Sequence, residues 1–156
     1  MTDPLLIRPA REHDCEFVAG FAPSLLESGS PAGHDPDALA PRFREALAQA
    51  VRAQGPGSAV LIAERADGAR VGFISLRVGT DAAGASRGHV ADLAVTADAR
   101  RSGVGTALLK AGEAWARDRG LPFLSLNVWS TNEPARAFYG RLGYAAESLC
   151  LVKRVN

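Results

Sequence analysis

The chain reads as a mixed α/β sheet of six to seven strands with helices on both faces, its elements running β-α-α-β-β-β-α-β-α-β. Three observations predict this. Short apolar runs bounded by turn signals are interleaved with longer segments whose apolar residues recur at helical spacing. A glycine-bearing turn, Arg100 to Thr106, joins a strand-like run to a helix-like one. The runs at 89–95 and 122–128 flank that single helix, so they should lie parallel in a right-handed crossover.

The length of 156 residues suits one domain over residues 1–156, with a core large enough to need no disulfide or metal staple. The net charge of +1 gives no overall field that would favour nucleic acid or a membrane, so neither is expected as a partner. Cys15 and Cys150 stand far apart, with no CxxC pair and no zinc-ligand spacing. They read as buried or idle thiols of a reducing cytoplasm, and no metal is expected. Met1 to Ile7 lacks the apolar run of a signal peptide, and no stretch approaches the ~18 apolar residues of a membrane span.

Taken in order, Leu5 to Arg8 is a first strand ended by Pro9. Glu12 to Glu27 reads as helical, with Pro23 expected to kink or split it, because proline lacks an N–H and clashes with the preceding turn. After a loop at Ser28 to Gly33, Asp35 looks like an N-cap with Pro36 at the first helical position. Leu39, Phe43, Leu47 and Val51 then share one stripe of a second helix. Ala59 to Ala63 and Val71 to Val78 are strands joined through Asp67-Gly68, a hairpin signal. Gly79 to Gly88 is small and polar and reads as a mobile connection. His89 to Val95 is a fourth strand. Val104, Leu108, Ala111 and Trp115 face one way on a third helix closed by Gly120. Pro122 to Val128 is a fifth strand, Asn132 to Arg141 a fourth helix, and Tyr144 to Val155 a last strand.

The chemistry concentrates in Arg100-Arg101-Ser102-Gly103-Val104-Gly105-Thr106. Glycines let backbone approach a ligand closely, and the helix start behind them offers unpaired N–H groups and positive dipole. Together these suit a pyrophosphate, with Arg100 and Arg101 adding charge beside it. Two other phosphate loops are excluded. No GxxxxGK[ST] string occurs, and a GxGxxG count from Gly103 ends on Leu108, with no acidic residue following at the expected distance. A plainer alternative is that the glycines only let a strand turn into a helix.

The string Arg100-x-x-Gly103-x-Gly105 resembles the (Arg/Gln)-x-x-Gly-x-(Gly/Ala) motif of the GNAT acetyltransferase superfamily. The preceding Asp92-Leu93-Ala94-Val95, the segment Leu126 to Ala135 with Phe138-Tyr139 and Leu142-Gly143-Tyr144, and the opening Ile7-Arg8-Pro9-Ala10 are similar to the family as well. The resemblance covers almost the whole chain, in the right element order, and is most specific from His89 to Tyr144.

That resemblance implies a single cytoplasmic N-acetyltransferase domain that uses acetyl-CoA as co-substrate and acetylates an amine of a small molecule or peptide. The strands at 89–95 and 122–128 should splay, so that backbone groups of Leu93, Ala94 and Val95 pair with the pantetheine arm. The N–H groups of Arg101, Ser102, Gly103, Val104, Gly105 and Thr106 would hold the pyrophosphate, with side chains at Gly103 or Gly105 obstructing it. Asn132 would contact the cofactor arm, or simply cap its helix. Tyr139 would assist the departing thiolate, or serve only as a core aromatic. Family members are often dimers, which leaves a homodimer open.

The general base is not fixed. Many relatives carry a glutamate where this chain has Ala91. Asp92 is the nearest carboxylate, alternating in facing unless a bulge re-aims it. His89 and a chain of waters are alternatives. Residues 11–40 hold six carboxylates, Glu12, Asp14, Glu16, Glu27, Asp35 and Asp37, against Arg11. An acidic lip of this kind would favour a cationic amine. All but Glu27 sit where carboxylates stabilise helix starts, so that reading competes with a purely structural one. The missing strand glutamate also keeps a non-catalytic acyl-CoA-binding module as the competing function.

Overall fold

A computed structural model describes residues 4–156; Met1 to Asp3, the start of the stretch judged not to be a signal peptide, lie outside the described residues. Five strands form one sheet in linear order: β1 (Leu5–Pro9), β2 (Ser58–Arg65), β3 (Arg70–Thr80), β4 (Ser86–Val95) and β5 (Leu124–Leu126). The first four pair antiparallel, and β4 with β5 pair parallel, as their flanking positions required. Asp67-Gly68 turns β2 into β3: Gly68 takes φ 85°, and the Ala69 N–H donates to Asp67 Oδ1 at 2.9 Å.

The two faces are covered separately. On one, α1 (Cys15–Ala19), α2 (Ala22–Glu27) and α3 (Pro36–Arg52) bury Val18, Ala22, Leu47 and Val51 against Val60, Ile62 and Phe73. On the other, α4 (Val104–Asp118) buries Leu108, Leu109 and Trp115 against Val71, Ile74, Leu76 and Val90. Each fully buried Leu, Ile or Phe contributes about 1.5–3 kcal/mol. Phe138, Tyr139 and Leu142 of α5 (Glu133–Arg141) pack on the margin of this second cluster. Pro23 lies in the first turn of α2 and splits the first helical region from α1, as its chemistry demands. Asp35 caps α3, its Oδ1 accepting from the Asp37 N–H at 3.0 Å.

One buried ion ties the sheet edge together. Asp14 is fully buried in a 3-10 turn ahead of α1. It accepts from Arg8 twice (2.8 and 3.1 Å), from the Arg11 N–H (2.8 Å) and from Arg70 (3.0 Å). Arg8 also donates to Glu64 at 2.7 Å.

Three expectations need correction. Gly79 to Gly88 is not a loose connection: β3 and β4 run into a tight hairpin in which Asp81 Oδ1 accepts from the Ala83 and Ala85 N–H groups, both at 2.9 Å. The strand expected at 122–128 shrinks to Leu124–Leu126. Tyr144 to Val155 forms no strand, so among the described residues the sheet has five strands rather than six to seven. A strand needs a ladder partner, and none of the five strands pairs with this segment. Its Leu149, Leu151 and Val155 stay 82–90% exposed, so their alternation meets no surface to bury against.

Candidate active site

The site starts where β4 and β5 part. Their ladder consists of Gly88, His89 and Val90 opposite Leu124, Ser125 and Leu126. Beyond it β5 ends, and among the described residues the β4 edge from Ala91 through Leu93, Ala94 and Val95 has no strand neighbour on that side. On its other side β4 carries a bulge. Asp92 faces Ser75 and Val90 faces Leu76, which leaves Ala91 unpaired. The extra residue resets the alternation, so that Ala91 and Asp92 both line the same cleft.

That cleft encloses about 430 Å³ between the α2–α3 side and the α5 side of the gap. Leu25, Arg42 and Phe43 form one wall; Asn127, Trp129, Asn132 and Tyr139 form the other. Trp129 closes over Gly29, where an added Cβ would fall 2.2 Å from the indole Cγ, so only glycine fits there. Nothing in the sequence marked Arg42, Phe43 or the Gly29–Trp129 contact as part of a site.

Asp92 receives a hydrogen bond from the Ser75 hydroxyl at 3.2 Å. Burial pushes its carboxyl up, against the opposing pull of Ser75 and Arg77. Tyr139 packs its ring against Phe138 and Tyr144, with centroids 5.2 and 5.9 Å away. Burial raises its phenol, and its hydroxyl has no hydrogen-bond partner among the described residues. Asn132 caps α5, its Oδ1 accepting from the Ala135 N–H at 3.3 Å. Its amide donors have no partner among the described residues and stand on the cleft wall.

The glycine-bearing loop stands at the start of α4. Arg101 at φ 61° and Gly103 at φ 85° are both left-handed, a conformation costly for arginine. The turn presents the N–H groups of Val104, Gly105 and Thr106, which have no acceptor within the helix. Ser102 spends its hydroxyl on the Ala99 carbonyl. Arg100 and Arg101 are exposed and make no ion pair among the described residues.

Gly105 corrects one expectation. An added Cβ would not stand over the loop but meet Phe138 Cζ at 3.3 Å and Val95 Cγ2 at 3.9 Å. Its smallness serves the contact between α4 and α5. Gly105→Val should therefore displace Phe138 and with it Tyr139, lowering melting temperature and kcat together; a variant with wild-type stability and lost ligand affinity would contradict this.

His89 lies outside the main cleft. Its Nδ1 is 2.9 Å from Ser125 Oγ, and burial, then Arg77 and Arg87, lower its imidazole. It lines an adjoining cleft of about 350 Å³ with Arg77, Arg87, Ser125 and Asn127, and Asn127 belongs to both clefts. None of the six carboxylates that suggested an acidic lip lines the cleft. Asp14 is buried, Asp35 caps α3, Glu16 pairs with Arg44, and Glu27 is absent from the cleft wall, where Arg42 stands instead. Cys15 is buried but Cys150 is exposed. Among the described residues no group of three His, Cys, Asp or Glu could hold a metal, and no helix is long and apolar enough to cross a membrane.

This geometry agrees with what the chain resembles. A family model described as "Acetyltransferase (GNAT) family" matches residues 23–144. The chain is 39% identical over 90 residues to an aminoglycoside N(6')-acetyltransferase type 1 of Klebsiella aerogenes, a stretch covering 56% of this chain and 59% of that protein. The chain spans about half to three-fifths of the length of the curated relatives it matches. Its fold is shared with a GCN5-related N-acetyltransferase of Ralstonia eutropha JMP134 (TM-score 0.76, 23% identity, 98% and 100% of the two chains covered). It is also shared with a ribosomal-protein-alanine N-acetyltransferase of Brucella melitensis biovar Abortus 2308 (TM-score 0.69, 24% identity, 97% and 99% covered). With the matched model spanning most of its length, the chain belongs to the acetyltransferase (GNAT) family.

Proposed function

We propose that residues 1–156 act as one N-acetyltransferase domain that moves an acetyl group from acetyl-CoA to a primary amine. The observation that carries this reading is the open β4 edge beside a cleft into which Asp92 and Tyr139 both project. The edge from Leu93 to Val95 offers backbone groups to the amides of the pantetheine arm, as an added strand would. The N–H groups from Arg101 to Thr106 and the helix start behind them suit the pyrophosphate, with Arg100 and Arg101 next to it. Asn132 supplies free amide donors to the arm.

Acetyl-CoA brings the activated acyl group as a thioester. Asp92, made more basic by burial, takes the proton of the attacking amine directly or through water. A backbone N–H near Leu93 stabilises the oxyanion that forms as the new C–N bond closes. Tyr139 donates to the sulfur as the C–S bond breaks. The aminoglycoside relative acts, by its name, on an amine as well.

The test is release of free thiol from acetyl-CoA against a panel of amines, with acetyl-CoA binding followed by thermal shift. Binding together with amine-dependent thiol release is the expected result. Binding with no release from any amine would make the protein an acyl-CoA-binding module, the role that the alanine at position 91 would suit.

A further inference from the structure

Resting on the acyl-transfer reading of the main cleft, we propose that the acceptor is a small amine that also carries an anionic group, a carboxylate or a phosphate, seated on Arg77 and Arg87. The register of the sheet puts these groups on one face. Arg87 pairs with Gly79, His89 with Arg77, Asp92 with Ser75, and Ala94 with Phe73, which lies under α1 to α3. The bulge at Ala91 is what brings His89 and Asp92, three positions apart, to the same side. Arg77 stands two residues from Ser75 along β3, a separation of about 7 Å for extended chain. Asn127 joins the two clefts, so a molecule with its amine at Asp92 reaches the adjoining cleft without leaving the surface.

Positive charge predominates there. Among the described residues, Arg42, Arg77 and Arg87 line the two clefts, and Asp92 is the sole carboxylate. Arg77 makes no ion pair or side-chain hydrogen bond among the described residues. Arg87 has one partner, Glu147 at 2.8 Å, whose side chain is 70% exposed on the irregular C-terminal segment. His89, its imidazole lowered by burial and by both arginines, adds a neutral hydrogen-bonding ring. A polycationic amine meets three guanidinium groups in this setting, whereas an anion receives planar, two-pronged donors suited to carboxylate or phosphate.

Matched pairs isolate the effect: phosphoethanolamine against ethanolamine, and β-alanine against its amide, compared per unprotonated amine by thiol release. The wild type should favour the anionic member of at least one pair by about tenfold or more in kcat/KM, in line with a charged hydrogen bond. Which pair responds distinguishes phosphate from carboxylate. Arg77→Ala/Arg87→Ala should erase that preference, chiefly through KM, while the KM for acetyl-CoA holds. Equal or reversed preference in the wild type overturns the proposal but leaves acyl transfer standing, as does a preference that survives in the double variant. Absence of thiol release from all four, while other amines of the panel release it, also overturns the proposal alone; absence from every amine of the panel overturns both.

Discussion

Tyr139→Phe is expected to lower kcat by about 10²-fold, the low end of general acid assistance, because a thiolate is a good leaving group. The substitution removes one oxygen. The ring keeps its contacts with Phe138 and Tyr144, so stability and the KM for acetyl-CoA should hold. That hydroxyl has no partner among the described residues, so its loss strands no hydrogen bond in the resting protein. Burial raises the phenol above its ordinary value near 10, which keeps it protonated at neutral pH and ready to donate. Any fall in wild-type activity caused by tyrosine ionisation should therefore lie above pH 10 and vanish in the variant. Steady-state kinetics decide: an unchanged kcat would leave Tyr139 a packing aromatic, and a loss of cofactor affinity alone would make it a binding residue.

Asp14→Asn should be among the most destabilising single changes, at about 3–5 kcal/mol. Asparagine keeps the shape, but Arg8 loses its bidentate partner and Arg70 an ion pair. One end of the amide also becomes a donor facing other donors. For a chain of this size the melting temperature should drop by roughly 6–20 °C. Burial alone would push the Asp14 carboxyl up; Arg8, the Arg11 N–H and Arg70 outweigh it and hold it well below the usual carboxylate range. A carboxyl depressed on folding stabilises in full above its unfolded value of about 4, and that stabilisation fades as pH falls toward the folded value. The gap between wild type and variant should thus be wide at pH 7 and narrower at pH 3. Equal melting at pH 7, or a gap that ignores acid, would remove Asp14 from this role.

What was legible in the sequence was what local chemistry decides. Asp35-Pro36 and Asp67-Gly68 act through their own backbone, and both features form where they were expected. The turn from Arg100 to Thr106 and the α4 start follow from glycine and helix geometry within a few residues. Features that depend on distant partners were not legible. Tyr144 to Val155 alternates like a strand, yet strand formation requires a free edge at the right place. Asp14 looked like an ordinary first-turn acid, because its burial depends on Arg8 and Arg70, which arrive from two different strands. The facing of Asp92 hung on one unpaired residue, Ala91, which alternation alone cannot reveal.

Gly105 has a consequence for how this protein can change. A Cβ there would meet the Phe138 ring at 3.3 Å, so the helix that begins at the glycine-bearing loop and the helix that bears Tyr139 approach closely at this point. Positions 105 and 138 are thus mutationally coupled: a side chain gained at one is tolerated only as volume is given up at the other. A lineage in which position 105 gains a side chain must also resettle Phe138 and, packed beside it, the Tyr139 ring on the cleft wall. The start of α4 and the seat of the Tyr139 ring are inherited together here.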